Sequence, residues 1–257
     1  MRLVIFTDLD GTLLDHATYS HEAAAPALAT LHKLNVPLIL ASSKTAAEIA
    51  PLHRELLLNG WPAIVENGAG VFDPAVSGKA DNSEYLRIRQ ALAALPEELS
   101  RDFRGFGVMT DKEVAEITGL SVDKARLARM RCHSEPGLWT GSDSGPERFL
   151  EALEAAGISA RRGGRFLTLS LGRTKAQAMS DIVLSLKPDK TVALGDAPND
   201  REMLEAADIG VIVRNDHGIA LPKLEGEAAG RIRRTQLSGP QGWNEAVMQI
   251  VQELGLN

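Results

Sequence analysis

A single cysteine, Cys132, occurs in the 257 residues, so no intrachain disulfide can form and a thiolate metal site has no second sulfur. A buried, inert thiol packing as a small hydrophobe is the expectation for it. No stretch approaches the roughly 20 consecutive apolar residues of a membrane-spanning helix. The opening MRLVIFTDLD turns acidic too early for a secretory signal. A cytoplasmic protein without a membrane partner is therefore expected. Positive charge is also short: 28 Lys and Arg stand against 34 Asp and Glu, for a formal net charge of -6. Nucleic-acid binders normally carry a basic face, so no nucleic-acid partner is expected. An anionic small molecule stays open, because one metal ion or a local cluster of cations can dominate a site. The six histidines (His16, His21, His32, His53, His133 and His217) lack metal-ligand spacing. Internal repeats and low-complexity linkers are absent, and the oligomeric state has no signature in the sequence.

What remains is 44% hydrophobic and 24% charged, ordinary for a globular chain long enough for one large α/β domain or two unequal ones. Residues 3–6 predict a buried strand feeding the loop Thr-Asp-Leu-Asp-Gly. A helical pattern follows at 21–34, a strand at 36–41, a helix at 45–58 and a strand at 63–65 that ends in Glu66-Asn67-Gly68. The alternation resumes with a helix at 174–186, a strand at 191–194, a helix at 200–206 and a strand at 209–213. Strands alternating with helices imply a parallel sheet with right-handed crossovers. Residues 84–171 differ in texture. Helices are predicted at 84–95, 111–118, 122–130 (capped by Ser121) and 146–156, and strands at 103–109 and 131–139, the latter bent or bulged at Pro136-Gly137. A β-hairpin at 158–171 turns at Gly163-Gly164. The expected class is α/β: a Rossmann-like parallel-sheet core, residues 1–83 and 172–257, with an inserted α+β cap domain at 84–171.

Four polar segments sit at strand ends or helix starts, where open parallel sheets bind ligands. The first is Asp8-Leu9-Asp10-Gly11-Thr12. Two such carboxylates can share a hard cation, one can attack phosphorus, and the other can move a proton; a surface Asx-turn is the alternative. The second is Ser42-Ser43-Lys44, with a hydroxyl for a phosphoryl oxygen or, equally, a helix N-cap. The third is Lys175, which can neutralise adjacent carboxylates or simply lie in solvent. The fourth, Gly195-Asp196-Ala197-Pro198-Asn199-Asp200, offers two carboxylates for a metal site, or caps for the following helix. Their order and strand-end placement agree with one another.

With these pieces the chain resembles the haloacid dehalogenase superfamily, through DLDGTLL (8–14), Ser42, Lys175 and GDAPND (195–200). The resemblance implies Asp8 as nucleophile, Asp10 as general acid and base, and Ser42 and Lys175 as phosphate ligands. It also implies Mg2+ held by Asp8, the carbonyl of Asp10 and Asp196, with Asp200 nearby. The insert resembles the αβ cap of the Cof-like branch, expected to close over the site. A closer resemblance, to mannosyl-3-phosphoglycerate phosphatases, is carried by SSKT (42–45), ENGA (66–69), MTDKEVAEITGL (109–120), SEPGLW (134–139), GDAPNDREML (195–204) and GPQGWNEAV (239–247). It implies a phosphorylated sugar-acid substrate and a place in mannosylglycerate biosynthesis. A general sugar-phosphate phosphatase, a phosphomutase or a non-catalytic binding protein on the same fold are the other readings. Ser43, Asn199, Lys44, Arg165 with its neighbour Arg162, and Glu135 are further candidates for the phosphate, carboxylate and sugar; Trp139 can stack on a sugar or fill the cap core. Gln241 to Asn244 reads as a loop near the site or a helix start.

Overall fold

The computed structural model describes residues 1–58, 60–76, 81–142 and 146–256. Eleven strands occur among the described residues: β1 (Leu3–Thr7), β2 (Leu38–Leu40), β3 (Ala63–Val65), β4 (Gly70–Phe72), β5 (Phe103–Gly105), β6 (Ser134–Trp139), β7 (Ser159–Gly163), β8 (Phe166–Ser170), β9 (Lys190–Gly195), β10 (Ile209–Arg214) and β11 (Ile232–Ser238). The chain divides into two compact units, one of Met1–Ser42, His53–Ala75 and Thr174–Asn257, the other of Ser43–Leu52 and Val76–Arg173.

The first unit is built on a five-stranded sheet in the order β11-β10-β9-β1-β2, with every pairing parallel. All five residues of β1 are buried, as expected of a strand covered on both faces by helices. Val4, Phe6, Ile39, Ala193, Met203 and Ile212 meet the helix Lys175–Leu186 in the main core through Ala178, Met179 and Ile182. That helix is fixed at its start by a capping box between Thr174 and Gln177. Strand β3 pairs antiparallel with β4 and touches the main sheet through a bridge between Ala41 and Ile64. The helix Gly239–Glu253 buries Trp243 completely. Gln241 to Asn244 thus resolve as the start of a helix.

The second unit carries a four-stranded antiparallel sheet, β5-β6-β8-β7. Ile88 from the helix Ser83–Ala94 and Phe149 and Leu153 from Pro146–Ala155 pack with Leu167 and Leu169 of β8. Trp139 joins this core, its ring stacked on Phe149 at 5.3 Å, which favours the packing reading over a sugar platform. A second cluster of Phe106, Met109, Val114 and Ala125 joins the helices Asp111–Thr118 and Val122–Ala128. Ser121 caps the latter as expected.

Three local expectations are corrected. The strand expected over 103–109 stops at Gly105, and Phe106–Val108 turns into a 3-10 helix that drives Phe106 into the second cluster. No bulge occurs at Pro136-Gly137, since β6 runs in unbroken register against Leu167–Ser170 of β8. Cys132 is half-buried rather than sealed in a core. Strand β11 had no sequence expectation: as an edge strand it reads IRRTQLS, with only Ile232 fully buried, so it lacks the apolar run that announces a central strand.

Candidate active site

The register of the first unit's sheet sets the site. Thr7 stands opposite Leu40 of β2 and Leu194 of β9, and the Asp8 N–H donates to the Leu194 carbonyl at 2.9 Å. The first residues after three adjacent strands therefore share one rim, at the strand where the chain order reverses.

Lys175 opens its helix from beneath this rim and is almost completely buried. Its ammonium donates to Asp8 Oδ1 at 2.6 Å and to Asp200 Oδ1 at 2.7 Å. Burial opposes the Lys175 charge, but the carboxylates of Asp200 and Asp8 outweigh it and raise the lysine pKa. Asp8 is pushed well above the usual carboxylate range, first by burial and then by the Asp200 charge, against the opposing pull of Lys175. Asp200, wholly buried, turns its other oxygen to the N–H groups of Asp196 (3.1 Å) and Ala197 (3.0 Å), so it ties its own loop while anchoring the lysine. Asp196 accepts from the Thr12 hydroxyl at 2.8 Å and from Asn215 Nδ2 at 2.7 Å, and burial raises its pKa.

One oxygen from each of Asp8, Asp196 and Asp200 lies within 4.8 Å of the others. Three buried carboxylates against one ammonium leave surplus negative charge, and their donors are hard oxygens, so the set fits a Mg2+-type cation. Asp200 is held on one oxygen by the ammonium and on the other by two backbone N–H groups, while Asp196 meets only neutral side-chain donors, the Thr12 hydroxyl and the Asn215 amide. Asp10 lies two residues on, in a loop closed by a bridge to Leu14 and by the Gly11 N–H on the Leu14 carbonyl. The carboxylate cluster does not include its side chain.

Ser42 is buried at the end of β2, its N–H bonded to the Ile64 carbonyl at 3.0 Å and its own carbonyl accepting from the Asn67 N–H at 2.9 Å. The N-cap of the helix Ala46–Glu55 is Thr45, which exchanges hydrogen bonds with Glu48, so capping does not account for Ser42. Asn199 is exposed, and its Nδ2 donates to Asn67 Oδ1 at 3.0 Å. Several contributors were given no role of their own by the sequence reading. Thr12 and Asn215 hold Asp196, and the second of these follows β10 directly, a strand-end position that was its available signal. Trp243 Nε1 donates to Thr7 Oγ1 at 2.9 Å, leaving the Thr7 proton for the Asp8 carbonyl at 2.8 Å. The nucleophile candidate is thus held at both its N–H and its carbonyl.

The remaining candidates belong to the second unit. Ser43 is exposed, with its carbonyl accepting from Arg131 at 2.9 Å, and Lys44 is half-buried. Arg162 and Arg165 are exposed on the β7–β8 hairpin, Arg165 resting 5.4 Å over the Phe166 ring. Glu135 is fully buried in β6; Oε1 accepts from Arg89 Nη1 at 2.8 Å and the Gly107 N–H at 2.9 Å. A Cβ on Gly105 would sit 2.2 Å from that oxygen, so only glycine lets the carboxylate in. Burial and the Glu135 charge push Tyr85 up to about 12. Glu135 Oε2 has no hydrogen-bond partner among the described residues.

A parallel α/β sheet with a carboxylate–lysine cluster at its switch-point rim, interrupted by an α+β insert, defines a recognisable class. The family described as haloacid dehalogenase-like hydrolase matches residues 5–95 and 148–223, well over half of the chain, and the chain belongs to that family. Among solved structures, BT1666 from Bacteroides thetaiotaomicron, described among phosphatases of this superfamily, is 21% identical with a TM-score of 0.68, covering 100% of this chain and 96% of its own. The subclass IIB sugar phosphatase BT4131 is 18% identical, with a TM-score of 0.64 and 99% of each chain covered. The sucrose-phosphatase of Synechocystis sp. PCC6803, solved with sucrose and phosphate, is 18% identical, with a TM-score of 0.65 and 100% of both chains covered. At these identities the structures establish a shared fold. No helix among the described residues is long and apolar enough to cross a membrane.

Proposed function

We propose that the chain is a Mg2+-dependent phosphomonoester hydrolase of the sugar-phosphatase type, acting on a glycosyl-3-phosphoglycerate with the mannosyl compound as first choice. The observation that carries the phosphatase reading is the buried set of Asp8, Asp196 and Asp200 around Lys175. Such a centre is built for a dianionic group arriving with a dication, and its own surplus of carboxylates repels an anion that arrives alone.

In the proposed chemistry an Asp8 oxygen attacks phosphorus in line, and the ester P–O bond breaks as Asp10 gives its proton to the leaving alkoxide. Water then attacks the aspartyl phosphate, Asp10 takes the water proton, and the bond from phosphorus to Asp8 breaks to release inorganic phosphate. Lys175 holds Asp8 as the attacking carboxylate and offsets charge on the phosphoryl oxygens, to which Ser42, Ser43 and Asn199 are assigned as donors. Asp8, the Asp10 carbonyl and Asp196, together with Asp200, would hold Mg2+, which when bound would supply neutralising charge to the phosphoryl group. Asp10 and Asp200 complete the metal assignment of the four-carboxylate motif.

The substrate class rests on the family resemblance and on the sugar phosphatases that share the fold. Lys44 and Arg165 are assigned to the glycerate carboxylate, which matches the cationic, bidentate chemistry such a group needs. Glu135 Oε2, an acceptor without a hydrogen-bond donor among the described residues, is assigned to a sugar hydroxyl. The test is a comparison of kcat/KM for mannosyl-3-phosphoglycerate, its glucosyl analogue and simple hexose phosphates. A preference of the first two by about 100-fold or more is expected, since hydrogen-bonded sites reject analogues that leave their polar groups unpaired. Equal values would reduce the enzyme to a general sugar phosphatase. Asp8→Asn, folded, is expected to lose turnover, as is the wild type in excess chelator.

A further inference from the structure

The turn Glu66-Asn67-Gly68 has no part in the scheme above, yet three consecutive residues there adopt left-handed backbone, with φ of 50, 60 and 93°. Glycine takes this conformation freely and asparagine tolerates it, but a glutamate, here buried, does so against its preference. Strain of this kind persists only where the surroundings over-determine it, and such places cluster at functional sites.

The surroundings of this turn are three of the four polar segments of the site. The Asn67 N–H donates to the Ser42 carbonyl at 2.9 Å. Gly68 presses on the peptide before Lys175 so closely that a Cβ would stand 2.2 Å from the Thr174 carbonyl carbon and 2.3 Å from the Lys175 nitrogen. The Asn67 side chain accepts from Asn199 at 3.0 Å, across 132 residues of sequence. Ser42, Lys175 and Asn199 arrive from different elements, and this one turn touches the chain at each of them.

We propose that Asn67 is a positioning residue for phosphoryl transfer, its backbone fixing Ser42 and its side-chain amide fixing Asn199 relative to Lys175. The proposal rests on the phosphatase reading of the site. It makes a division of labour within one residue. Glycine at position 67 would serve the backbone conformation at least as well, but it carries no amide to orient Asn199. Merely structural and positioning roles therefore predict opposite results for the same substitution.

The experiment compares wild type, N67G, N199A and N67G/N199A in the full chain, with p-nitrophenyl phosphate as substrate, Mg2+ present and D8N as control. N67G is expected to fold with an unchanged or higher Tm and to lose about 10- to 100-fold in kcat, the scale of a misplaced group, while KM changes far less. The double variant is expected to fall no further than the worse single one, because the two amides act as a pair. Wild-type kcat in N67G overturns the proposal, and so do losses that multiply in the double variant. A folded D8N with wild-type activity would instead overturn the reading of the site on which the proposal rests, a result that these two outcomes cannot mimic.

Discussion

Each unit of this protein buries carboxylate against a single cation, and the two solutions differ in balance. In the second unit Glu135, near the start of a strand, meets one guanidinium and one backbone N–H, a near-neutral arrangement. In the first unit three carboxylates gather around the Lys175 ammonium on loops and at a helix start, an arrangement that is unbalanced by construction. A balanced buried pair can fold and rest. In the unbalanced one, burial first and the neighbouring carboxylate charge after it raise the pKa of Asp8 and of Asp196. Both clusters are buried, so the surplus of carboxylate is what differs between them.

The sharpest way to break this contrast is to remove the cation from each cluster. Lys175→Met leaves Asp8 and Asp200 facing each other without their ammonium, and loss of one partner from a buried pair typically costs about 3–5 kcal/mol. Arg89→Met should cost less, about 1–3 kcal/mol, because Arg89 is part-exposed and Glu135 keeps the Gly107 N–H. Urea unfolding of the two variants checks the order. Added Mg2+ should recover part of the loss in Lys175→Met and none in Arg89→Met. Recovery of both, or of neither, would mean that the excess of carboxylate is not what distinguishes the first cluster.

A finer comparison uses the helix caps, since each unit has a capping box. Thr110 with Glu113 starts the helix Asp111–Thr118, and Thr174 with Gln177 starts Lys175–Leu186. Thr110→Ala and Thr174→Ala should each cost about 1 kcal/mol of stability, measured by chemical denaturation. Only Thr174→Ala should also lower kcat, because the residue after that cap carries the site's ammonium. Equal activity in the two variants would show that the start of the Lys175 helix tolerates fraying.

The two units were unequally legible in the sequence. The core strands announced themselves by apolar runs ending in acidic or hydroxyl residues, and the register of β1 against β2 and β9 then brings Asp8, Ser42 and Asp196 to one rim. Lys175 is a different case: nothing in its neighbours in the chain separates it from a solvated lysine, and its burial comes from Asp8, 167 residues away. The Trp243–Thr7 bond spans 236 residues and is equally silent in sequence. The helix Gly239–Glu253 was obscured by its own Gly-Pro-Gln-Gly start, although proline in a first turn is a helix signal. In the insert, Phe103–Gly105 looked longer than it is because Phe106 and Val108 extend the apolar pattern while the backbone turns away to bury Phe106.

The smallest predicted effect concerns acid. Glu113 in the insert and Glu227 in the core are each held at about 2, Glu113 first by the Thr110 N–H and then by Arg104, Glu227 first by Arg234 and then by the Leu224 N–H. Both lie below the ordinary glutamate value of 4.5, so the unfolded chain binds protons that the folded chain does not as pH falls below that value. Their stabilisation is complete above about 4.5 and disappears as pH approaches 2. Glu113→Gln and Glu227→Gln should therefore each lower Tm at neutral pH and flatten its decline in acid. The effect should be small for both, because the groups stand near solvent and salt screens such pairs. It should be smaller still for Glu113, whose partner Arg104 is half-exposed, than for Glu227, whose carboxylate is largely covered and accepts two hydrogen bonds from Arg234. Thermal melts from neutral pH into the acid range, at low and high salt, read both slopes; a larger flattening for Glu113→Gln would reverse this ranking of the two units.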